Sequence, residues 1–230
     1  MMEVTFRSKI EDDGFAVLGE VLVREELDRL LENIHQADAR RSRAGIRHAL
    51  GIGPIARLAG APQLTGLAGQ VLGGGAFPFR ATLFEKSPLS NWLVAWHQDI
   101  ALPLGSRLDL PGWGPWSLKG GVTYAHAPAS ILRQVLALRV HLDDSTRENG
   151  LLRVLPRTHT NGVLTDDAIH SLSVKIAPVE CLVPRGGVLA MRPLLVHASS
   201  KSRVGMPRRV LHIEYAASPS IVEPLELATA

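Results

Sequence analysis

Leu93-Val94-Ala95-Trp96-His97-Gln98-Asp99-Ile100 is an apolar run interrupted by an imidazole, an amide and a carboxylate. Its length and its Val, Trp and Ile content read as a β-strand. Side chains alternate between the two faces of a strand, so His97 and Asp99 are expected on one face, converging. From Phe77 onward similar short apolar runs recur, separated by Gly, Pro, Asn and Asp at spacings too short for helices. They are Arg80 to Phe84, Val135 to Leu142, Leu151 to Leu155, Glu180 to Val183, Val188 to Arg192 and Arg209 to Tyr215. This texture predicts a mainly β body.

The chain before it has a different period. Val23, Leu27, Leu30, Leu31 and Ile34 share one face, with Arg24, Glu25, Asp28, Arg29 and Glu32 on the other, which predicts an amphipathic helix over Val23 to Ile34. After Pro62 a second helix gathers Leu64, Leu67, Ala68, Val71 and Leu72, and Gly73-Gly74-Gly75 ends it. Helices are therefore expected in the first third. That segment is too small for a second core and no internal repeat is present, so residues 1–230 read as one domain. A helical buttress covers about 20–75 and a β core about 77–217.

Composition narrows the function classes. With 230 residues and no tract of ~18 consecutive apolar residues, the chain is expected to fold as a globular domain without a membrane span. Hydrophobic residues make up 46%, which argues against disorder. The 25 Lys+Arg and 22 Asp+Glu give a formal charge of +3, spread thinly except for Arg40, Arg41, Arg43 and Arg47. No aromatics interleave with that stretch, so no nucleic-acid partner is expected. A single cysteine, Cys181, excludes an intrachain disulfide and any CxxC motif, and Met1 to Ile10 lacks the apolar region of a signal peptide. A cytoplasmic location is the expectation.

The H-x-D pair needs a third partner to hold a metal. His197, at the end of the apolar run Leu194-Leu195-Val196 and followed by Ala198-Ser199-Ser200, is the best candidate, because small neighbours leave room around the ring. Two histidines and a carboxylate on a β scaffold are the facial triad of non-haem Fe(II) oxygenases, and the same set holds zinc or manganese. Iron is favoured by the basic pair Arg208-Arg209 leading into the last strand, since a buried arginine there needs an anionic partner. A long segment from Pro103 to Pro128, expected as a loop, concentrates Trp113, Trp116, Lys119, Tyr124 and His126, which suits a lid or a substrate-lining loop. His35, His48, His159, His170 and His212 have no informative partner spacing, and no phosphate-loop, dinucleotide, H-E-x-x-H or G-x-S-x-G motif occurs.

Taken together, these blocks resemble the phytanoyl-CoA dioxygenase family of Fe(II)/2-oxoglutarate-dependent oxygenases. Gly14-Phe15-Ala16-Val17-Leu18 is similar to the family's opening strand, and Trp96-His97-Gln98-Asp99 matches its W-H-Q-D. Leu142-Asp143-Asp144, then Asn149-Gly150-Leu151-Leu152-Arg153-Val154-Leu155-Pro156, resemble its L-D-D and N-G-x-L-x-V-x-P blocks. Gly186 to Arg208 resembles its distal histidine, serine and arginine region, so the likeness covers nearly the whole chain in order. Pro156-Arg157-Thr158-His159, Gly186-Gly187 and Ser202 depart from the usual P-G-S-H, G-D and asparagine.

The resemblance implies a double-stranded β-helix, a cupin-like jelly-roll, with helices packed on one sheet. It implies that His97, Asp99 and His197 ligate Fe(II), that Arg208 anchors the 2-oxoglutarate far carboxylate, and that Ser199 donates to the same group. It also turns Arg139 and His141 toward the cosubstrate and places Lys86 near cosubstrate or substrate. Lys86, Trp113, Trp116, Lys119, His126 and His141 are thus the substrate-lining candidates. O2 is the further cosubstrate, and the implied reaction is hydroxylation of a small molecule, with release of succinate and CO2. Because Asp99 is present, no ligand position is freed for halide. The substrate class stays open, though Arg139 and Lys119 tolerate an anion. Two other readings stay open: a zinc or manganese isomerase or hydrolase of cupin type, and a non-catalytic ligand-binding relative.

Overall fold

The computed structural model describes residues 5–37, 39, 41–42, 45–87, 90–108 and 110–230. It opens with a helix the sequence did not announce, α1 (Phe6–Asp13), capped by the Thr5 hydroxyl, which accepts from Ser8 N at 3.2 Å. Gly14 ends it at φ 85°, where a Cβ would lie 2.5 Å from His159 Nδ1, so only glycine turns the chain here into β1 (Phe15–Leu18). α2 (Arg24–Gln36) follows the expected apolar stripe and buries Leu27, Leu30 and Ile34. A short hairpin, β2 (Arg41–Ser42) and β3 (Gly45–Ile46), carries Arg41, which is ion-paired with Glu85. Arg40 and Arg43 of the basic stretch lie outside the described residues. α3 (Gly53–Ala59) and α4 (Pro62–Leu72) complete the helical layer, α4 starting on proline and ending at Gly73 as expected.

The β body contains β4 (Phe77–Lys86), β5 (Val94–His97), β6 (Ala101–Leu104), β7 (Trp116–Lys119) and β8 (Val122–His126). After α5 (Ala129–Leu132) come β9 (Val135–His141), β10 (Leu152–Val154), α6 (Asp166–Lys175) and β11 (Val179–Cys181). β12 (Val188–Met191), β13 (His197–Ser199), β14 (Arg208–Ala216) and the hairpin β15 (Ser220–Val222) and β16 (Leu225–Glu226) end the chain. Strands pair in the order β1-β12-β9-β14-β4-β3-β2 in a major sheet and β11-β10-β13-β5 in a minor one, all antiparallel. Two facing antiparallel sheets wound this way are a jelly-roll.

Period two explains the layers. Leu83 on β4, Leu138 and Val140 on β9, and Leu211 and Ile213 on β14 face outward into one cluster with Ile10, Leu27, Ile55 and Leu64 of the helices. On the inner face, Phe15, Ala137, Leu189 and Met191 meet Leu152, Val154 and Cys181 of the minor sheet. Toward the other end of the same inner face the alternate positions turn polar: Arg80 and Lys86 on β4, Arg139 and His141 on β9, Arg208, His212 and Glu214 on β14.

Three expectations need correction. The strand expected over Leu93 to Ile100 stops at His97, and Gln98 to Ile100 form a connection before β6. Pro103 to Pro128 is not one long loop: β6, β8 and β7 form a three-stranded sheet, turned at Gly120-Gly121, where both residues have positive φ (58° and 83°). A two-residue glycine turn between apolar runs is a hairpin signal, which the Pro, Gly and Trp content of the segment obscured. Helices are also not confined to the first third, since α6 starts on the Thr165 cap.

Candidate active site

His97 and His197 are directly opposed across the β5–β13 pair, with ring centroids 4.2 Å apart. Asp99 joins them from the connection after β5, not from the strand face. Its backbone N–H donates to Pro193 O at 2.9 Å, which ties it to the turn that leads into His197. Gln98 pins that connection: its amide donates to Gly162 O (2.9 Å) and Leu194 O (2.6 Å), and its carbonyl accepts from Leu164 N (2.9 Å). The two imidazoles and the carboxylate bring one donor atom each within 4.8 Å of one another.

Both rings are fixed in the same sense. His97 Nδ1 donates to Ala95 O and His197 Nδ1 to Leu195 O, each at 2.8 Å, which leaves both Nε2 atoms facing Asp99 at 3.7 and 3.5 Å. Burial pushes His197 down to about 3, so its ring is neutral. Burial works against the Asp99 charge, yet the His197 and His97 rings hold the carboxyl well below the usual range. Burial works against a charge on His97, but the hydrogen bond and charge of Asp99, with the Ala95 carbonyl, raise its ring above the ordinary histidine value.

A cavity of about 160 Å³ opens beside these donors, walled by Lys86, Phe84, Trp92, Arg139, Ser199, Arg208 and His212. Lys86, 1% exposed, donates to Ser199 Oγ (2.9 Å) and Ser200 O. Arg208 Nε donates to Asn149 O (3.2 Å), and Arg139 Nη1 to His212 Nδ1 (3.0 Å). Phe84 and Trp92 lie 5.4 and 5.6 Å from the Arg139 and Lys86 charges. None of these three cations has a carboxylate partner among the described residues, and Arg139 Nε is buried without any partner. Burial, then Arg208 and Arg139, push the Lys86 ammonium down to about 7; burial and Arg139 likewise push Arg208 down. A guanidinium stays charged, so the pocket holds positive potential that its own residues do not neutralise. Arg209, one residue on, turns away and is clamped by Asp143 at 2.6 and 2.7 Å.

The other candidates separate. Lys119 and His126 line a second cavity of about 320 Å³, which shares Arg80, Thr82, Phe84 and Asp99 with the first. Trp113 and Trp116 are outside both walls, packed on the apolar cluster of Phe79, Leu102 and Leu225. His141 is 1% exposed, behind the wall, with both ring nitrogens unpartnered; burial and the nearby Arg139 and Arg208 keep it neutral.

The family model of phytanoyl-CoA dioxygenase (PhyH) matches residues 10–210. The chain belongs to the phytanoyl-CoA dioxygenase family. Within the family's range of sequences it is 27% identical over 186 residues to L-proline trans-4-hydroxylase of Streptomyces griseoviridis, covering 70% of this chain and 62% of that enzyme. The chain thus spans less than two thirds of the length of that curated relative. In fold it is similar to the α-ketoglutarate-dependent epimerase SnoN from nogalamycin biosynthesis, solved with Fe3+, α-ketoglutarate and nogalamycin RO (TM-score 0.71, 16% identity, 97% of this chain, 84% of that one). It is likewise similar to EctD from S. alaskensis, solved with 2-oxoglutarate and 5-hydroxyectoine (TM-score 0.70, 20% identity, 92% of this chain, 74% of that one). These likenesses establish the double-stranded β-helix.

Three polar residues of this phytanoyl-CoA dioxygenase-family site carried no signal as isolated letters. His212 and Glu214 on β14 and Arg80 on β4 form a buried series, with Arg80 ion-paired to Glu214 and His212 Nε2 3.7 Å from Glu214 Oε1. The signal available is alternation: Arg208, His212 and Glu214 share one face of β14, while the other carries Arg209 at its start and then Leu211, Ile213 and Tyr215.

Proposed function

We propose that the chain is an Fe(II)- and 2-oxoglutarate-dependent dioxygenase that hydroxylates a C–H bond of a small molecule. The observation that carries this reading is one juxtaposition: a two-histidine, one-carboxylate donor set opens onto a cavity walled by three cations, Lys86, Arg139 and Arg208, that have no ion-paired carboxylate among the described residues. The donors suit the ion, being two imidazoles whose Nε2 atoms face an ionised carboxylate, and such a triad leaves positions for small molecules. The cations suit a dicarboxylate cosubstrate, as does the orphaned Arg139 Nε. When bound, Fe(II) with 2-oxoglutarate and O2 supplies the oxidant that turns C–H into C–OH, while 2-oxoglutarate loses CO2 and leaves as succinate.

The chain's own residues hold and orient. His97, Asp99 and His197 hold the metal, and Arg208 with Lys86 hold the far carboxylate of the cosubstrate. Ser199, whose oxygen accepts from Lys86, keeps its own proton to donate to that carboxylate. His212 fixes Arg139, and Phe84 and Trp92 cover the cations against water. The likeness to L-proline trans-4-hydroxylase supports hydroxylation as the outcome. A zinc or manganese isomerase on the same donors leaves the three cations without an anion.

Anaerobic addition of Fe(II) and then 2-oxoglutarate to metal-free protein tests the reading. A visible charge-transfer band is expected, and Arg208→Ala is expected to need at least about tenfold more 2-oxoglutarate to reach it. Iron bound with no band at any 2-oxoglutarate concentration overturns the reading in favour of Lewis-acid chemistry.

A further inference from the structure

We propose that the outer cavity, through Arg47 and Lys119, binds the oxyanion group of the substrate, a carboxylate or phosphate on a small molecule that carries no ammonium. This rests on the oxygenase reading above and names the substrate class for it.

The cavity of about 320 Å³ is within the size of small-molecule sites, and it meets the metal cavity at Asp99. Its wall brings Arg47, Arg80 and Lys119 around the Tyr124 ring, which lies 5.0 Å from Lys119 Nζ and 5.8 Å from the Arg80 guanidinium. His48 lies near-parallel to that ring, with centroids 6.1 Å apart, and its Nε2 meets the phenol oxygen at 3.1 Å. The three cations differ in one respect. Arg80 is ion-paired with Glu214 and donates to Ala101 O at 2.8 Å, so its charge is committed. Arg47 and Lys119 have no carboxylate partner among the described residues. Burial first, and then Arg47 and Arg80, push the Lys119 ammonium down; burial and the same two arginines push His48 down. Positive potential therefore converges on this cavity and is left for a ligand to neutralise.

The acids decide what the ligand lacks. Asp99 is the only carboxylate in the described wall and is a candidate metal ligand, and Glu214, behind the wall, is held by Arg80. An ammonium entering the cavity would meet three cations and no free acceptor of opposite charge. Phe84, Ile100 and Ala101, in the same wall as Asp99, offer apolar surface to the remainder of the ligand. An oxyanion at Arg47 and Lys119 thus leaves a hydrocarbon portion facing the metal donors, the arrangement a C–H oxidation needs.

Calorimetric titration of the anaerobic protein, loaded with Mn(II) and 2-oxoglutarate, tests this with cyclohexanecarboxylate, cyclohexyl phosphate, cyclohexanecarboxamide and L-proline as probes. One or both of the anions are expected to bind, the better of the two marking the substrate as carboxylate or phosphate, and the amide and the amino acid are expected to bind at least about tenfold more weakly. Arg47→Ala/Lys119→Ala, two exposed truncations, is expected to remove that preference. Equal binding of the amide, tighter binding of L-proline, anion binding that survives the double substitution, or no anion binding at millimolar probe each overturns the proposal. Titration of 2-oxoglutarate into wild type and Arg208→Ala reports the underlying reading separately: no binding to wild type, or binding unchanged in Arg208→Ala, sinks the oxygenase reading, whereas wild-type binding that weakens in Arg208→Ala, with silent anions, sinks only the substrate class.

Discussion

Arg139 Nη1 lies 3.0 Å from His212 Nδ1. A guanidinium only donates, so the imidazole accepts at Nδ1 and carries its proton on Nε2, the atom 3.7 Å from Glu214 Oε1. Glu214 in turn holds Arg80, so one buried series runs from the inner cavity to the outer one. Removing the acid leaves Arg80 without its counter-charge inside the protein. Glu214→Ala is therefore expected to cost about 3–5 kcal/mol of stability, the usual result of breaking a buried pair, read as a fall in denaturant midpoint at unchanged slope. An unshifted midpoint would mean that water already screens Arg80.

Lys86 gives the site a pH dependence of known sign. Its ammonium is pushed down to about 7 in the folded protein against 10.5 for the free side chain. Between those values the unfolded chain binds the extra proton, so this residue makes the cosubstrate-free protein more stable as pH rises through that window. Cosubstrate binding has the opposite sign, because a dicarboxylate favours the charged ammonium. The 2-oxoglutarate KM is expected to rise above pH ~7 in the wild type and to be higher but flatter in Lys86→Met, with thermal melts of the two apo proteins diverging most at low pH. Parallel pH profiles for the two proteins would remove Lys86 from the pocket's chemistry.

Metal binding links to folding through the same donors. Asp99 is held ionised beside His197 and His97, whose rings lie 4.2 Å apart, so an ion that takes one donor atom from each would favour the folded chain. An ion at 100 times its Kd stabilises by about 2.7 kcal/mol, which for a chain of this size is a rise in Tm of about 5–11 °C. Mn(II) or Fe(II) is expected to give that rise in wild type, EDTA to reverse it, and Asp99→Ala to abolish it. A metal-induced rise that persists in Asp99→Ala would place the ion elsewhere.

The sequence made the scaffold legible where period and punctuation agree, as in α2, α4 and the run Val135–His141. It offered His97, Asp99 and His197 as one ligand set from an H-x-D pair and a third histidine beside small residues, and a resemblance built on several ordered blocks implied iron for them. The reason first offered for the convergence of His97 and Asp99, alternation along one strand, does not hold, because the strand ends at His97. His212 and Glu214 stayed illegible because their meaning depends on register: His212 sits opposite Arg139 across β9 and β14, a pairing no single strand announces. Trp113 and Trp116 look functional by composition alone, yet a rare large aromatic serves a core equally well, and both pack on apolar residues.

Gln98 carries the last prediction, because it explains how Asp99 reaches the histidines without a strand to hold it. Its amide and carbonyl satisfy Gly162 O, Leu194 O and Leu164 N, joining the Asp99 connection to the segments before α6 and before β13. Gln98 is 8% exposed, so truncation leaves these backbone groups short of partners while every donor to the metal remains. Gln98→Ala is expected to cost about 1–3 kcal/mol of stability and to weaken metal binding about 10- to 100-fold, the range seen when groups that orient ligands are lost. A titration with Mn(II) under conditions where the variant is fully folded separates the two effects. Wild-type metal affinity in that titration would show that the backbone bond from Asp99 to Pro193 positions the carboxylate by itself.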